Sequence, residues 1–538
     1  MPYGISPVHP ALMKQLMQSR TAVCSCWYQM YLSRPNERRS IISTNQKSIS
    51  EMAVKNLVRG NVFIDGAWIL PLIQGGKGVG ATNGRSAGAW ARENTGGTIA
   101  GTGAAIGYDE NGREISYPHI GRSRRERHEE LVAWSIEGGI LQAGIAYEAS
   151  RGKGRIRMNF LKMAGGSMRI MRGVLEGTRL AGGGNMINAV TMGAGLPAEE
   201  DAQICADEGV YLDPIVSSAV ALKVLLKRTF RNWPDRYSDV IGAVVYEDPW
   251  LAGGHNGITS REDPDKPEAP YDRVKELRRI MNENKMENVA IIMAGGVWYL
   301  RDWEHWLGNR DIGPIAFQFG TRDLLTRECP VTEEWKLLLL SMNEGDVALN
   351  QFSPTGFYSS AYKNSMIKEL YQRSERQVPF GRKCDSSMSE PVEGCGVANN
   401  RYCVTQQDKL KVDAWIAEGF NIPMRTPDNT LIFVTREAAR EIKAYLTDCV
   451  GCLSTCKLSS WSQSSEQKNT TGKRPDPRFH CIRKRLVEAI QGRDLDKQLI
   501  FAGHNAYKAK SDPFYRDENG HVFIPTVKQL VERLMTGN

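Results

Sequence analysis

The feature that most constrains this chain is an alternation of short apolar runs with longer mixed segments, repeated eight times between about residues 69 and 322. The runs are Ile69–Gln74, Gly97–Gly101, Arg155–Leu161, Met186–Met192, Val210–Val216, Val240–Tyr246, Val289–Met293 and Pro314–Phe319. Several are rich in Val, Ile and Ala with no polar alternation. That is the pattern of strands buried on both faces, as a parallel sheet requires. Amphipathic stretches lie between several of them. The clearest is Tyr271–Asn284, where Val274, Leu277, Ile280 and Met281 recur at helical spacing; Ala198–Glu208 and Ala219–Phe230 are similar. The alternation predicts an α/β chain built as a (β/α)8 TIM barrel, with an open doubly wound sheet as the alternative.

Most runs end in glycine or small polar residues: GGKGVG (75–80), GTG (101–103), GAG (193–195), AGGHNG (252–257), AGG (294–296) and GTR (320–322). Ligands of parallel α/β folds bind at the carboxyl ends of the strands. Glycine there lets backbone N–H groups approach a phosphate, and the next helix N-terminus adds a favourable dipole. Any single glycine pair reads better as a tight turn; six in register with strand ends point to a ligand. Gly101, Gly103 and Gly107 lack the spacing of a dinucleotide fingerprint.

Past about residue 330 the pattern changes. Thr332–Met342 reads as a Thr-capped helix with acids in its first turn, Ala361–Arg373 as another helix, Leu431–Val434 as a strand and Arg436–Thr447 as a helix. Residues 459–478 read as a flexible loop. The chain therefore divides into a basic extension (1–60), a barrel (61–378) and a Cys-rich α+β extension (379–538).

The net charge is +8, but residues 1–50 hold six bases (Lys14, Arg20, Arg34, Arg38, Arg39, Lys47) against Glu37 alone. The rest of the surface is nearly balanced, so a nucleic-acid partner is not expected. The Ser-rich, acid-poor composition of that segment suits an organellar transit peptide as well as a plain basic extension; a cytoplasmic protein is expected. No run of about 18 apolar residues exists, so no membrane-spanning helix is expected.

Taken in order, LPLIQGGKGVG (70–80), MNF (158–160), MGAGLP (192–197), AGGHNG (252–257), IIMAGGV (291–297) and FQFGTR (317–322) make the chain resemble the nitronate monooxygenase family, formerly called 2-nitropropane dioxygenase. The resemblance covers about residues 68–375, including SPTGFYSSAYKN (353–364), which is similar to that family's closing loop. It implies an FMN-binding barrel enzyme, with FMN-dependent enoyl reductases as relatives. By position, Gln74, Gly75, Gly76 and Gly78 would lie along the flavin, and Asn159 would hydrogen-bond its ring. Gly253 and Gly254 would lie beside it. Gly295, Gly296, Gln318, Gly320 and Thr321, with Arg322, would hold the phosphate. His255 would be the catalytic residue, abstracting a proton or holding an anionic group, for which an imidazole is suited; a satisfied structural histidine is the plain alternative.

The chain departs from the family at Lys77, where many members carry Met or Ser. It also carries a basic excursion (His119, Arg122, Arg124, Arg125, Arg127, with Arg113), readable as a solvated face or as an entry loop for an anion. Eleven cysteines include seven between 384 and 481. Without a secretory signal, metal or redox chemistry explains them better than a disulfide framework. Cys449, Cys452 and Cys456 form a C-x2-C-x3-C pattern that resembles the cluster motif of the 2,4-dienoyl-CoA reductase and trimethylamine dehydrogenase barrels, with Cys481 as fourth ligand of a [4Fe–4S] cluster. A zinc site drawing on Cys384, Cys395, Cys403 or His480 fits as well. The expected function is an FMN-dependent oxidoreductase that acts on a nitronate or other small anionic substrate, or on NAD(P)H, with oxygen as acceptor. An FMN enoyl-reductase-like enzyme fed through an iron–sulfur centre is one alternative. A non-catalytic FMN- or phosphate-binding barrel is another.

Overall fold

The computed structural model describes residues 60–538 except 105, 110–113, 116–117 and 394–401. These residues belong to one compact unit, Met52–Asn538. The basic extension, with Cys24 and Cys26, lies outside the described residues, as do Arg113 and Cys395.

All eight apolar runs form strands: β1 (Leu72–Gln74), β2 (Gly96–Ala100), β3 (Arg155–Leu161), β4 (Ala189–Gly193), β5 (Tyr211–Val216), β6 (Ala243–Glu247), β7 (Ala290–Ala294) and β8 (Ile315–Phe319). They pair in parallel and close into a barrel, β8 onto β1 and β5 onto β6. Both faces of each strand are buried for different reasons. In β7, Ala290, Ile292 and Ala294 pack in the barrel interior, while Ile291 and Met293 pack against the helices. The parallel pattern was legible because neither face meets water.

Helices α1 (Gly84–Arg92), α2 (Arg124–Ser150), α3 (Ser167–Gly177), α4 (Glu199–Asp207), α5 (Ala219–Arg228) and α6 (Pro270–Glu283) follow the first six strands, and a 3-10 segment, Leu300–Trp306, follows the seventh. Their starts carry the expected signals: Asn83 caps α1, Ser123 forms a capping box with Glu126 on α2, and Pro270 opens α6. The helix packed beside β8 comes from the far end of the chain. There α12 (Val527–Met535) buries Val527, Leu530, Leu534 and Met535 in the same core as Trp90 and Phe319, and Gly537 accepts a backbone hydrogen bond from Arg301 at 2.9 Å.

A hairpin, Val62–Ile64 with Ala67–Ile69, covers the amino-terminal mouth and buries Val62, Ile64 and Ile69 on the interior layer. Its turn residue Asp65 pairs with Arg157 at 3.1 Å, and Arg157 also bonds Asp213. All three are buried.

Between β8 and α12 lie α7 (Glu333–Ser341, capped by Thr332), β9 (Val347–Asn350), β10 (Ser359–Tyr362), α8 (Ser365–Glu375), β11 (Gln377–Pro379), α9 (Gln406–Ala417), β12 (Ile422–Arg425), β13 (Thr430–Val434), α10 (Arg436–Thr447) and α11 (Ile482–Ile490). The helix expected over Ala361–Arg373 starts later, at Ser365. Residues 359–362 are a strand instead, held on one side by β9 and on the other by the short strand Gly254–His255. Residues 459–478 also contain ordered pairing: Trp461 is buried and donates to the Leu453 carbonyl at 2.8 Å.

Candidate active site

A cavity of about 230 Å3 opens where the barrel strands end. Gly75, Gly76, Gly78, Asn159, Gly253, Gly254, His255, Gly295, Gly296, Gln318, Gly320 and Thr321 all line it. Gln74 does not. Its amide is buried between β1 and β2, donating to Ser86 Oγ at 3.2 Å and accepting from the Thr98 N–H at 3.1 Å. As the last residue of β1, on the same outward face as Leu72, it ties the strand end to α1 and braces the loop from outside the barrel.

The β1 loop is pressed against β3. A Cβ on Gly76 would stand 2.6 Å from the Asn159 Cβ, so only glycine fits. Asn159 donates to the Gly76 carbonyl at 3.3 Å, and its amide oxygen is left for a ligand. Across the barrel, Gly295 (φ +93°) and Gly296 (φ +76°) adopt left-handed backbone at the end of β7. At the end of β8, a Cβ on Gly320 would meet no atom within 4 Å, because that side of the backbone faces open space. Thr321 Oγ1 accepts from the Gly503 N–H at 3.0 Å. This corner offers glycine backbone, a hydroxyl and open volume, which suit a phosphate. Arg322 does not join it. Its guanidinium is fully buried, donating to the Trp298 carbonyl, to Asp512 at 3.1 Å and to the Tyr515 hydroxyl at 3.3 Å. Lys77 lines the cavity, paired with buried Asp323 at 2.7 Å; Arg483 is a second cation in its lining.

His255 is fixed from two sides. Its backbone pairs with Ser359 in the sheet over the barrel mouth, and its Nε2 lies 2.7 Å from Ser353 Oγ, which in turn contacts Thr355 Oγ1 at 2.8 Å. The Phe501 ring meets the imidazole edge-on at 5.7 Å. Burial pushes the His255 pKa down to about 4, so the ring is neutral at pH 7. Glu247, the last residue of β6, lines the same cavity. Burial, then the neighbouring Asp248 charge, raises its pKa to about 8, so it is protonated at pH 7. The site thus holds a neutral base and a neutral acid.

Sequence reasoning missed Glu247, which follows the run Val240–Tyr246 by one residue. It also missed Ala502, Gly503 and Asn505, which line the cavity from near the carboxyl terminus; Asn505 donates to the Gly296 carbonyl at 2.6 Å. The one available signal was that AGHN at 502–505 echoes AGGHN at 252–256.

Cys449, Cys452, Cys456 and Cys481 line a second cavity of about 460 Å3, together with Arg127, Arg483 and Lys484. All four are free thiols. Among the described residues no three His, Cys, Asp or Glu side chains converge as ligands of a metal ion. Cys384 and Cys403 are joined in a disulfide and cannot supply ligands. His480 is buried with neither ring nitrogen bonded and does not line this cavity. Part of the basic excursion faces inward here, while Arg122 and Arg125 are exposed. Arg124 donates to the Ser459 carbonyl at 2.9 Å, Arg127 to the Cys449 carbonyl at 3.1 Å and the Thr447 carbonyl at 2.8 Å, and Arg483 approaches His119 at 3.2 Å. These cations clamp the cysteine segment. Cys452, Ile482 and Arg483 line both cavities. Among the described residues no helix is long and apolar enough to cross a membrane.

Residues 178–411 match the nitronate monooxygenase family model. No curated protein matches the chain. Among solved structures, FabK from Thermotoga maritima is 12% identical over 90% of this chain and 94% of that one, with a TM-score of 0.43. Nitroalkane oxidase from Streptomyces ansochromogenes is 15% identical over 59% and 80%, at 0.37. The enoyl reductase domain of MlnA from Bacillus amyloliquefaciens is 10% identical over 87% and 93%, at 0.48. Likeness of this degree says nothing about chemistry.

Proposed function

We propose, from the nitronate monooxygenase domain that the chain carries over residues 178–411, that this flavin-dependent oxidoreductase holds FMN across its barrel mouth and oxidises a nitronate or another small anionic substrate, with oxygen as acceptor. The observation that carries the reading is the meeting of the β1, β6, β7 and β8 glycine loops, Asn159 and His255 around one cavity. Gly295, Gly296, Gly320 and Thr321 would take the phosphate through backbone N–H groups and a hydroxyl, and Asn159 would bond the ring. FMN, when bound, supplies acceptance of electrons from the substrate and their delivery to oxygen.

The chain's own groups account for the rest. Neutral His255, oriented by Ser353, donates a hydrogen bond to an anionic substrate, or accepts a proton where the substrate carries one. Glu247, protonated in the same cavity, donates a hydrogen bond to developing negative charge. Phe501 and the sheet over the mouth exclude water from the imidazole. NAD(P)H is an alternative reductant for the same site.

A visible spectrum tests the reading. The protein should purify yellow; a colourless protein that ignores added FMN would sink it. His255→Ala should keep FMN and lose most turnover, and unchanged kinetics would leave His255 structural.

A second reading is favoured by the wall common to the two cavities. If the four cysteines hold a [4Fe–4S] cluster, whose thiolates stand farther apart than those of a single ion, electrons would reach the flavin past Cys452, and the enzyme would be a reductase. Iron and sulfide analysis on anaerobically purified protein decides it; absence of iron excludes this branch.

A further inference from the structure

We propose that the active-site cavity contains a second subsite, which takes the far end of an elongated substrate: an unbranched aliphatic chain that ends in a carboxylate remote from the reacting group. The inference rests on the flavin reading of the cavity.

The cavity does not stop at the barrel mouth. In the closed strand order β3 stands opposite β7, so the glycine corner of Gly295 and Gly296 and the rim at Phe160 face each other across the barrel. Beyond β3 the lining passes to Leu131 of α2 and Ile170 of α3, and then to Leu453, Ile482 and Leu486. Aliphatic walls of this kind reward methylene groups and offer nothing to a small polar substrate.

Two polar side chains on this side of the cavity carry a buried atom with no hydrogen-bond partner: Arg483, at its Nε, and Ser167. Ser167, the first residue of α3, lines the cavity, is only 5% exposed, and has a hydroxyl with no hydrogen-bond partner. Leaving a buried hydroxyl unpaired is costly, so a ligand oxygen is its natural partner. Ser167 opens an 11-residue helix whose Gly166 cap provides no side-chain hydrogen bond. The positive end of that helix prefers a carboxylate to a neutral carbonyl. Hence the apolar walls select the length of the substrate, and Ser167 together with the Arg483 guanidinium selects the chemistry of its end.

Binding of straight-chain alkanoates and alkanols of four, six, eight and ten carbons to the FMN-loaded full-length protein tests this, read by flavin absorbance and by calorimetry. Affinity should rise about fourfold per methylene until the lobe is filled. Alkanoates should bind at least tenfold more tightly than alkanols of equal length. Ser167→Ala should reduce that preference at least threefold while keeping the length dependence. Ile170→Trp should abolish the gain from longer chains and leave the four-carbon probe unchanged. Affinity independent of length overturns the subsite; a carboxylate preference left unchanged by Ser167→Ala overturns the placement of the charged end. Protein that binds no FMN sinks the flavin reading instead, and calorimetry still reports the length dependence separately.

Discussion

His255 Nε2 stands 2.7 Å from the hydroxyl of Ser353, joining the loop after β6 to the segment that closes over the barrel mouth. The pair lies 98 positions apart in the chain. The contact orients a neutral imidazole, and a single neutral hydrogen bond contributes about 0.5–1.5 kcal/mol. Ser353→Ala should therefore lower kcat by roughly two- to tenfold with FMN affinity unchanged. A measured kcat equal to that of the parent would remove Ser353 from the positioning of His255.

The pH profile follows from the two titrating groups that line the cavity. His255 acts only when neutral, and its pKa is lowered to about 4, so activity should rise as pH climbs through about 4, not through the ordinary histidine range. Glu247 donates only when protonated, and its pKa is raised to about 8, so activity should fall as pH passes about 8. Glu247→Gln should abolish the alkaline limb of kcat/KM, and persistence of that limb would assign it to another group.

Gly320→Val should separate folding from cofactor binding. No protein atom lies within 4 Å of the added Cβ, so the melting temperature of the apoprotein should stay within a few degrees of the parent. The branched side chain would fill the volume assigned to the phosphate, and FMN affinity should drop about a hundredfold by the arithmetic of a lost charge-assisted contact set. Full FMN binding by the variant would move the phosphate elsewhere.

The barrel floor predicts a large stability effect. Arg157 is buried between Asp65 and Asp213 and holds the hairpin turn against β5. Arg157→Met leaves two buried carboxylates without their cation, which should cost about 3–5 kcal/mol in urea unfolding. Asp65→Asn with Arg157→Met should recover part of that loss. A near-neutral single variant would show that the floor tolerates the unpaired acids.

Much of this was readable from residue order, and the reasons are local. Strands buried on both faces announce themselves as Val/Ile/Ala runs whatever their partners, so β3 and β7 could be placed without tertiary knowledge. Glycines at the ends of β1, β6 and β7 are demanded by atoms close to them or by left-handed backbone, whereas Gly320 at the end of β8 faces open space. The helix expected at Ala361 failed for the opposite reason. Pairing of Ser359 and Ser360 with His255 and Gly254, more than 100 residues away, overrode the local preference.

The sequence by itself determined the number and kind of barrel strands, the loops that meet at their carboxyl ends, and the glycines and His255 that line the cavity. Only the tertiary structure decided where the neighbouring charges go. Arg322 sits beside the GTR glycine yet is spent on Asp512, and Arg124 and Arg127 hold the cysteine segment. It also decided that Glu247 is protonated, that Ala502–Asn505 closes the site, and that α12 packs in the outer barrel core beside β8. Strand and turn preferences are set by a residue and its near neighbours. Charge pairing, desolvation and the packing of one exposed face on another depend on groups brought together from hundreds of positions apart, and no local pattern records which of them meet.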